Sequence, residues 1–142
     1  PLLRAPEQAL VARLLFTQGR YEEAYAHVTR AWPAQQAATA TIPTLLESRY
    51  ALLDILLSLQ EERVACARRD GLSLPQQMVD SLHAQAKRAV FFQPRALLCQ
   101  ARLAWLRGAV GDVQAALAAL DQALLLSQRL GMLYDEGLVH AY

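Results

Sequence analysis

A chain of 142 residues with 54% hydrophobic and 19% charged side chains is long enough to bury one core and too apolar to be disordered. Its formal net charge of +1 gives no bulk attraction to nucleic acid or to anionic membranes, and polar residues interrupt every apolar run before it reaches the length of a membrane span. Cys66 and Cys99 lack CxxC spacing and fall in apolar helical stretches, which predicts buried thiols, a reducing compartment and a cytoplasmic protein.

Residues 6–32 predict the first helical hairpin. Its first helix extends to about residue 17, with an inward face formed by Leu10, Val11, Leu14 and Leu15. Gly19 breaks this helix, and the return helix begins at Tyr21. Pro33 is expected to end the hairpin, because proline interrupts helices, and the polar stretch 34–43 is expected to form a linker.

Residues 44–93 predict a second, longer unit. Thr44 and Glu47 have capping-box spacing at the start of a leucine-rich helix that is expected to reach about Arg68. A turn at Gly71 follows. Ser73 and Gln76 give a second capping-box spacing, and the helix that they open is expected to continue to about residue 92.

Residues 94–130 predict the clearest hairpin. Gly108 and Gly111 bracket its turn, and Asp112 is placed to cap its second helix. That helix carries one apolar stripe, formed by Val113, Ala116, Leu117, Leu120, Ala123 and Leu124. Residues 134–142 begin a further helix that stops with the chain, so we expect a fragment of a larger protein.

Two segments, 19–31 and 111–123, share one pattern. In both, a glycine is followed by an apolar residue at two, alanine at five, an apolar residue at nine and alanine at twelve positions further on. The middle helix keeps this pattern in part, and its Ala89 lies 123 − 89 = 34 residues before Ala123. Pro94 follows Ala89 by five. This period is that of tetratricopeptide repeats.

The chain therefore resembles the tetratricopeptide-repeat family over nearly its whole length, in a degenerate form. The turn glycine, aromatic and small packing positions of that family are matched by Gly19, Tyr21, Ala24 and Ala31, and by Gly111, Ala116 and Ala123 with Val113 for the aromatic residue. Members of that family carry a tryptophan early in the first helix of each repeat. The matching position is Gln8 in the first unit and Gln100 in the last unit. The resemblance implies a single all-α domain, in which antiparallel helical hairpins stack as a right-handed solenoid.

In that family the first helix of each hairpin lines a concave, peptide-binding face. The repeat register places on that face Arg13, Phe16, Leu98, Ala101 and Trp105. The alternative for Trp105 is core packing between units, because apolar helical stripes are usually buried.

A narrower resemblance lies in the last third of the chain. The LGM sequence before Leu133, followed by Tyr134-Asp-Glu-Gly-Leu-Val-His-Ala, is similar to C-terminal helical regions of bacterial STAND or AAA-like ATPase signalling proteins. These carry cyclase or kinase modules, and LuxR-type regulators have related regions. The resemblance implies a non-catalytic scaffold that binds a protein segment or a neighbouring domain of the same chain. Two alternatives stay open: an effector-sensing arm of an ATP-dependent transcriptional regulator, and a self-association module that forms homo-oligomers.

No residue pattern predicts catalysis or a cofactor. The three histidines lack a second ligand at helical spacing, which argues against a metal site. GxxxxGK[ST] and GxGxxG are both missing from the sequence, which argues against a nucleotide site. Adjacent acidic residues such as Glu22 and Glu23 point away from each other on a helix and suit its first turn. The sequence thus predicts a protein that is not an enzyme, and that binds neither nucleic acid directly nor membranes.

Overall fold

The computed structural model describes residues 5–37 and 43–141, with the backbone alone for residues 37, 43–44 and 133–134. Every element in these ranges is helical, which confirms the predicted all-α class. The helices are α1 (Ala5–Thr17), α2 (Tyr21–Ala37), α3 (Pro43–Glu61), α4 (Ala65–Asp70), α5 (Ser73–Ala86), α6 (Gln93–Arg107), α7 (Val110–Arg129) and α8 (Leu133–Ala141). None of these described helices is both long and apolar enough to cross a bilayer.

The chain divides into two compact units, Pro1–Met78 and Val79–Tyr142, and the division falls inside α5. The predicted middle unit, 44–93, is therefore shared between them. We describe each unit separately.

In the first unit, α1 and α2 form the predicted hairpin. Gly19 adopts a left-handed φ of +75°, and the backbone N–H groups of Gly19 and Arg20 donate to carbonyls of the last turn of α1. The inward face of α1 differs from the prediction: its buried residues are Ala9 and Ala12, whereas Leu10 and Leu14 are 59% and 50% exposed. α1 packs against both α2 and α3. Its buried residues in these contacts are the small Ala9 and Ala12, which allow the neighbouring helices to approach closely.

Pro33 does not end α2, so this prediction is wrong. The helix continues through Pro33 to Ala37 because its last turns are held by neighbouring helices. Gln35 is buried and its amide donates to Gln8 Oε1 over 3.0 Å, while Arg49 of α3 donates to the Gln35 carbonyl. Pro33 itself is exposed, so the carbonyl that loses its helical donor lies on a solvated face. Of the predicted linker, 34–37 is helical and 38–42 lies outside the described residues.

The long helix predicted to reach Arg68 is also interrupted. α3 ends at Glu61, and Arg63 turns the chain with a φ of 57° before the short α4. Buried Gln60 stabilises this turn: its amide nitrogen donates to the carbonyls of Ala67 and Gly71, over 2.7 and 3.0 Å. The hydroxyl group of Tyr25 in α2 donates a hydrogen bond to the carboxylate of Asp70 at the end of α4.

The two predicted capping boxes have different outcomes. α3 begins at Pro43, so Thr44 is already helical, and its side chain lies outside the described residues. α5 begins at Ser73, and the backbone N–H of Gln76 donates to the carbonyl of Leu72 over 3.0 Å. Leu72 is therefore the residue immediately before α5. The predicted capping box had placed Ser73 at that position, one residue later.

In the second unit, α5 ends at Ala86 rather than near residue 92. The chain then makes a 3-10 turn over Val90–Phe92 that leads directly into α6. The Gln93 amide donates back to the Ala86 carbonyl over 3.3 Å, which fixes this connection.

α6 and α7 form the predicted hairpin, closed by small residues. The buried cluster between them consists of Ala101, Ala104, Ala116 and Ala119, with Leu120 packed against it. Gly108 occupies the turn with a φ of +74°. Gly111 is not in the turn, because α7 begins at Val110; Asp112 therefore lies within the first helical turn and is not the N-cap residue.

α8 is attached to this hairpin by polar contacts. Arg95 of α6 donates to Asp135 of α8 over 2.8 Å, and both side chains are largely buried, at 14% and 3% exposure. The Arg95 guanidinium also lies 5.4 Å from the centroid of the Phe92 ring. Gln128 of α7 donates to Glu136 of α8 over 3.2 Å.

Candidate protein-binding surface

The two predicted site residues of the first unit contact their own neighbours. Arg13 forms an ion pair with Asp54 of α3, so its charge is compensated inside the unit. The Phe16 ring packs against Tyr21, with 5.3 Å between the ring centroids, beside the α1–α2 turn. Both side chains thus help to join helices of this unit.

The three predicted residues of the second unit lie on α6 but differ in exposure. Leu98 and Ala101 are buried, at 1% and 2%, and so offer no surface to a ligand. Trp105 is 62% exposed. The alternative that Trp105 packs in a core is therefore wrong, because most of its surface is accessible to solvent.

A further apolar surface follows α7. We call it the α7 strip, and it consists of Val110, Val113, Leu117, Leu120 and Leu124, at spacings of three and four residues. Val110 is 84% and Leu117 is 50% exposed, whereas the other three side chains are partly buried. Side chains at this spacing line one side of a helix.

Sequence reasoning placed Val113, Leu117, Leu120 and Leu124 on one stripe with Ala116 and Ala123, and in the structure these residues differ in exposure. Ala116 and Ala123 are buried, while Leu117 is turned away from α6 and half exposed. In the sequence of α7, the large apolar residues recur every three or four positions, and the alanines recur every three or four positions in a separate register. These two registers are the sequence signal that distinguishes the face with large residues from the face with alanines. Alanines permit close approach of two helices; of the larger residues, Leu120 packs against the alanine cluster, whereas Leu117 remains half exposed.

α8 contacts α7 near the carboxyl-terminal end of α7. Gln128, which bonds to α8, follows Val110 by 128 − 110 = 18 residues, about five helical turns, so both leave α7 on the same side. α8 has 9 residues and α7 has 20, which correspond to about 14 and 30 Å. The Gln128–Glu136 hydrogen bond places α8 beside the carboxyl-terminal part of α7, whereas Val110 and Leu117 are exposed.

A shallow groove of about 300 Å³ lies on the second unit, between α6 and α7. Its lining residues are Leu97, Gln122, Leu125, Leu126 and Arg129. Leu125 is 62% exposed and lies eight residues, or about 80° around the helix, from Leu117. The groove and the exposed half of the α7 strip are therefore distinct surfaces.

The described residues were compared with the arrangement that a metal ion requires. Among 5–37 and 43–141, with the side-chain exceptions given above, there is no cluster of three histidine, cysteine, aspartate or glutamate side chains arranged to hold a metal ion. Cys99 is buried and Cys66 is partly exposed. Comparisons of the chain with protein-family models, with curated proteins and with solved structures gave no match.

Proposed function

We propose that this chain is a non-catalytic scaffold segment that binds a protein segment, or a neighbouring domain, through its second unit. The observation that carries the proposal is the exposure of Trp105, Val110 and Leu117 on the α6–α7 hairpin. Trp105 and Val110 flank the Gly108 turn, and exposed apolar residues that lie together are typical of interaction sites. Tryptophan is also enriched among the residues that dominate binding energy.

The proposed architecture is a degenerate tetratricopeptide-like array. Its support is the burial of matching template positions: Ala24 and Ala31 in α2, and Ala116 and Ala123 in α7. The proposed context is a cytoplasmic, multidomain bacterial signalling protein, and it rests on the resemblance of the last third of the chain, within residues 94–142. In this context the rigid helices present a surface, and the attached domains perform the chemistry.

The experiment that tests the proposal is site-specific crosslinking in cells that express the full-length protein. We expect Trp105→p-benzoylphenylalanine to crosslink to a defined polypeptide or to a neighbouring domain. The matched control is Ala118→p-benzoylphenylalanine, at an exposed position of α7 outside the α7 strip. Identical products at both positions, or no product at residue 105, would refute the proposal.

A second variant separates binding from folding. Because Trp105 is exposed, Trp105→Ala should leave the melting temperature within about 2 °C of the original, whereas truncation of a buried tryptophan costs about 3–5 kcal/mol. The same variant should lose the partner that the crosslink identifies. A large fall in melting temperature would assign Trp105 a structural role.

The groove between α6 and α7 favours the effector-sensing alternative. It combines apolar side chains with one basic residue, Arg129, and its volume of about 300 Å³ is at the lower end of small-molecule sites. Binding of an anionic metabolite that raises the melting temperature, and loses this effect in Arg129→Ala, would support that alternative. Self-association is tested by sedimentation of the fragment at several concentrations.

A further inference from the structure

We propose that the turn between α5 and α6 binds an acidic segment of a partner protein that also carries apolar side chains. The binding surface, which we call the basic–apolar turn, consists of Lys87, Arg88, Val90 and Phe91. The inference goes beyond the proposed function, because this turn precedes α6, whereas Trp105 lies 105 − 93 = 12 residues, or about 18 Å, along that helix. Three observations carry it: exposed apolar side chains, a turn fixed by its neighbours, and two adjacent cations without ion-pair partners.

The apolar part of the surface is formed by two consecutive residues. Val90 is 46% and Phe91 is 48% exposed, although the next residue, Phe92, is buried. The Phe91 ring packs against the Phe92 ring, with 5.1 Å between the centroids. A half-covered phenylalanine can bury about 100 Å² more against a partner. Aromatic residues are enriched at protein interfaces for this reason.

The turn holds these side chains in a fixed position. The Gln93 amide nitrogen donates to the Ala86 carbonyl over 3.3 Å, which joins the end of α5 to the start of α6. Behind the turn, the Arg95 guanidinium lies 5.4 Å from the centroid of the Phe92 ring and donates to Asp135 over 2.8 Å. The turn therefore loses little conformational freedom when a partner covers its exposed side chains, and its ordering costs little of the binding free energy.

Two cations lie directly beside the apolar residues. Lys87 and Arg88 are exposed, and neither forms an ion pair with any residue that the structure describes. Arg88 precedes Val90 by two residues, so their Cα atoms are at most about 7 Å apart. Asp135 does not compensate the two cations, because it is buried and pairs with Arg95. A carboxylate that approaches the turn therefore meets two uncompensated cations beside the apolar contact.

The number of cations favours a protein segment over a lipid surface. Basic clusters that attach proteins to anionic membranes contain about four to eight lysines and arginines. The turn has two, and the second unit over residues 79–142 carries six basic and five acidic residues. Two glutamates or aspartates of a peptide can pair with the two cations while neighbouring apolar side chains cover Val90 and Phe91. Like charge at these positions is disfavoured, so the turn selects acidic segments.

The probe for the experiment is a fluorescein-labelled peptide of about 12 residues in which two glutamates are followed by phenylalanine and leucine. Binding to the 142-residue protein is measured by fluorescence anisotropy at about 50 mM salt, where exposed charges are weakly screened. We expect Lys87→Glu with Arg88→Glu to weaken binding roughly tenfold or more. A peptide with lysines in place of the two glutamates should bind this variant more tightly than it binds the original protein.

The matched control for the charge reversal is Arg68→Glu with Arg69→Glu. These adjacent residues at the end of α4 are also exposed and basic, and no large apolar side chain within five residues of them is exposed. The control changes the net charge by the same amount as the test variant. Binding of the acidic peptide to the control should stay within about twofold of the original.

The apolar part of the surface is tested separately. Phe91→Ser should weaken binding roughly fivefold or more, because the aromatic contact is lost. Leu10→Ser, which changes an exposed leucine of the first unit, should stay within about twofold. Since Phe91 also packs against Phe92, Phe91→Leu keeps an apolar side chain at this position and should retain binding to within about threefold.

The outcomes separate this inference from the proposed function. Equal losses in the two charge-reversal variants, or no peptide binding up to about 1 mM protein, would overturn it. Binding of phosphatidylserine vesicles that Lys87→Glu with Arg88→Glu abolishes, without binding of the acidic peptide, would make a lipid surface the occupant and would also overturn it. Crosslinking at residue 105 leaves the turn unchanged, so its failure together with peptide binding at the turn would overturn the proposed function alone.

Discussion

Asp135→Ala should detach α8 from the second unit. The Asp135 carboxylate is 3% exposed and accepts the Arg95 hydrogen bond over 2.8 Å, so its removal leaves a largely buried guanidinium without this partner. Breaking a buried ion pair on one side costs about 3–5 kcal/mol. Since α8 has only 9 residues, we expect local opening rather than unfolding of the whole unit.

Hydrogen exchange monitored by NMR provides the assay. If the free energy of opening α8 falls by about 3 kcal/mol, the protected amides of α8 should exchange roughly 100-fold faster. The exchange rates of amides in the α6–α7 core should change little. Glu23→Ala is the control, because the Arg20–Glu23 pair is half exposed and its loss should leave exchange unchanged. The double variant Arg95→Met with Asp135→Leu should recover most of the protection. Exchange of α8 within twofold of the original in Asp135→Ala would refute the reasoning.

Three further changes test other parts of the structure. Ala116→Leu should destabilise the second unit by about 1–3 kcal/mol in urea unfolding, because the alanine cluster has no room, whereas Ala118→Leu on the exposed face should be neutral. Gly108→Ala should cost about 1 kcal/mol in the same assay, because its φ of +74° strains any side chain. Burial, and then the hydrogen bond to Asp70, raise the pKa of Tyr25 to about 12. The stability that depends on the neutral phenol should therefore be lost as the pH rises from about 10 to about 12. Absorbance titration of the Asp70→Asn variant should show a lower Tyr25 pKa.

Local patterns allowed the helices to be predicted, but tertiary contacts decided several of their ends. Gly19 and Gly108 terminate helices as expected, because positive φ favours glycine. Pro33 was predicted to end α2, and the prediction failed because Gln35 and its contacts with α1 and α3 hold the following turn. The break after Glu61 lacks a glycine or proline signal. It depends on Arg63 in a left-handed conformation and on Gln60, which bonds to residues further along the chain.

Burial was harder to predict than helix position. Leu10 and Leu14 were assigned to the inner face of α1 because leucine favours burial, but the contacts with α2 and α3 are filled by Ala9 and Ala12. The same preference hid the α7 strip, since its residues share a helical stripe with the buried alanines. Trp105 is 62% exposed although the usual burial of apolar stripes favoured core packing, whereas Leu98 and Ala101, which were placed on the same face, are buried.

The alanine cluster between α6 and α7 also bears on how this region tolerates genetic change. Of the six single-nucleotide changes of an alanine codon that alter the residue, four encode a bulkier or charged one, and only glycine and serine are close to alanine in size. At Ala101, Ala104, Ala116 and Ala119 the permitted variation is therefore narrow, and it is limited by volume rather than by polarity. A saturation screen of these four codons should recover almost exclusively glycine and serine, a signature that ordinary leucine-rich interiors do not give.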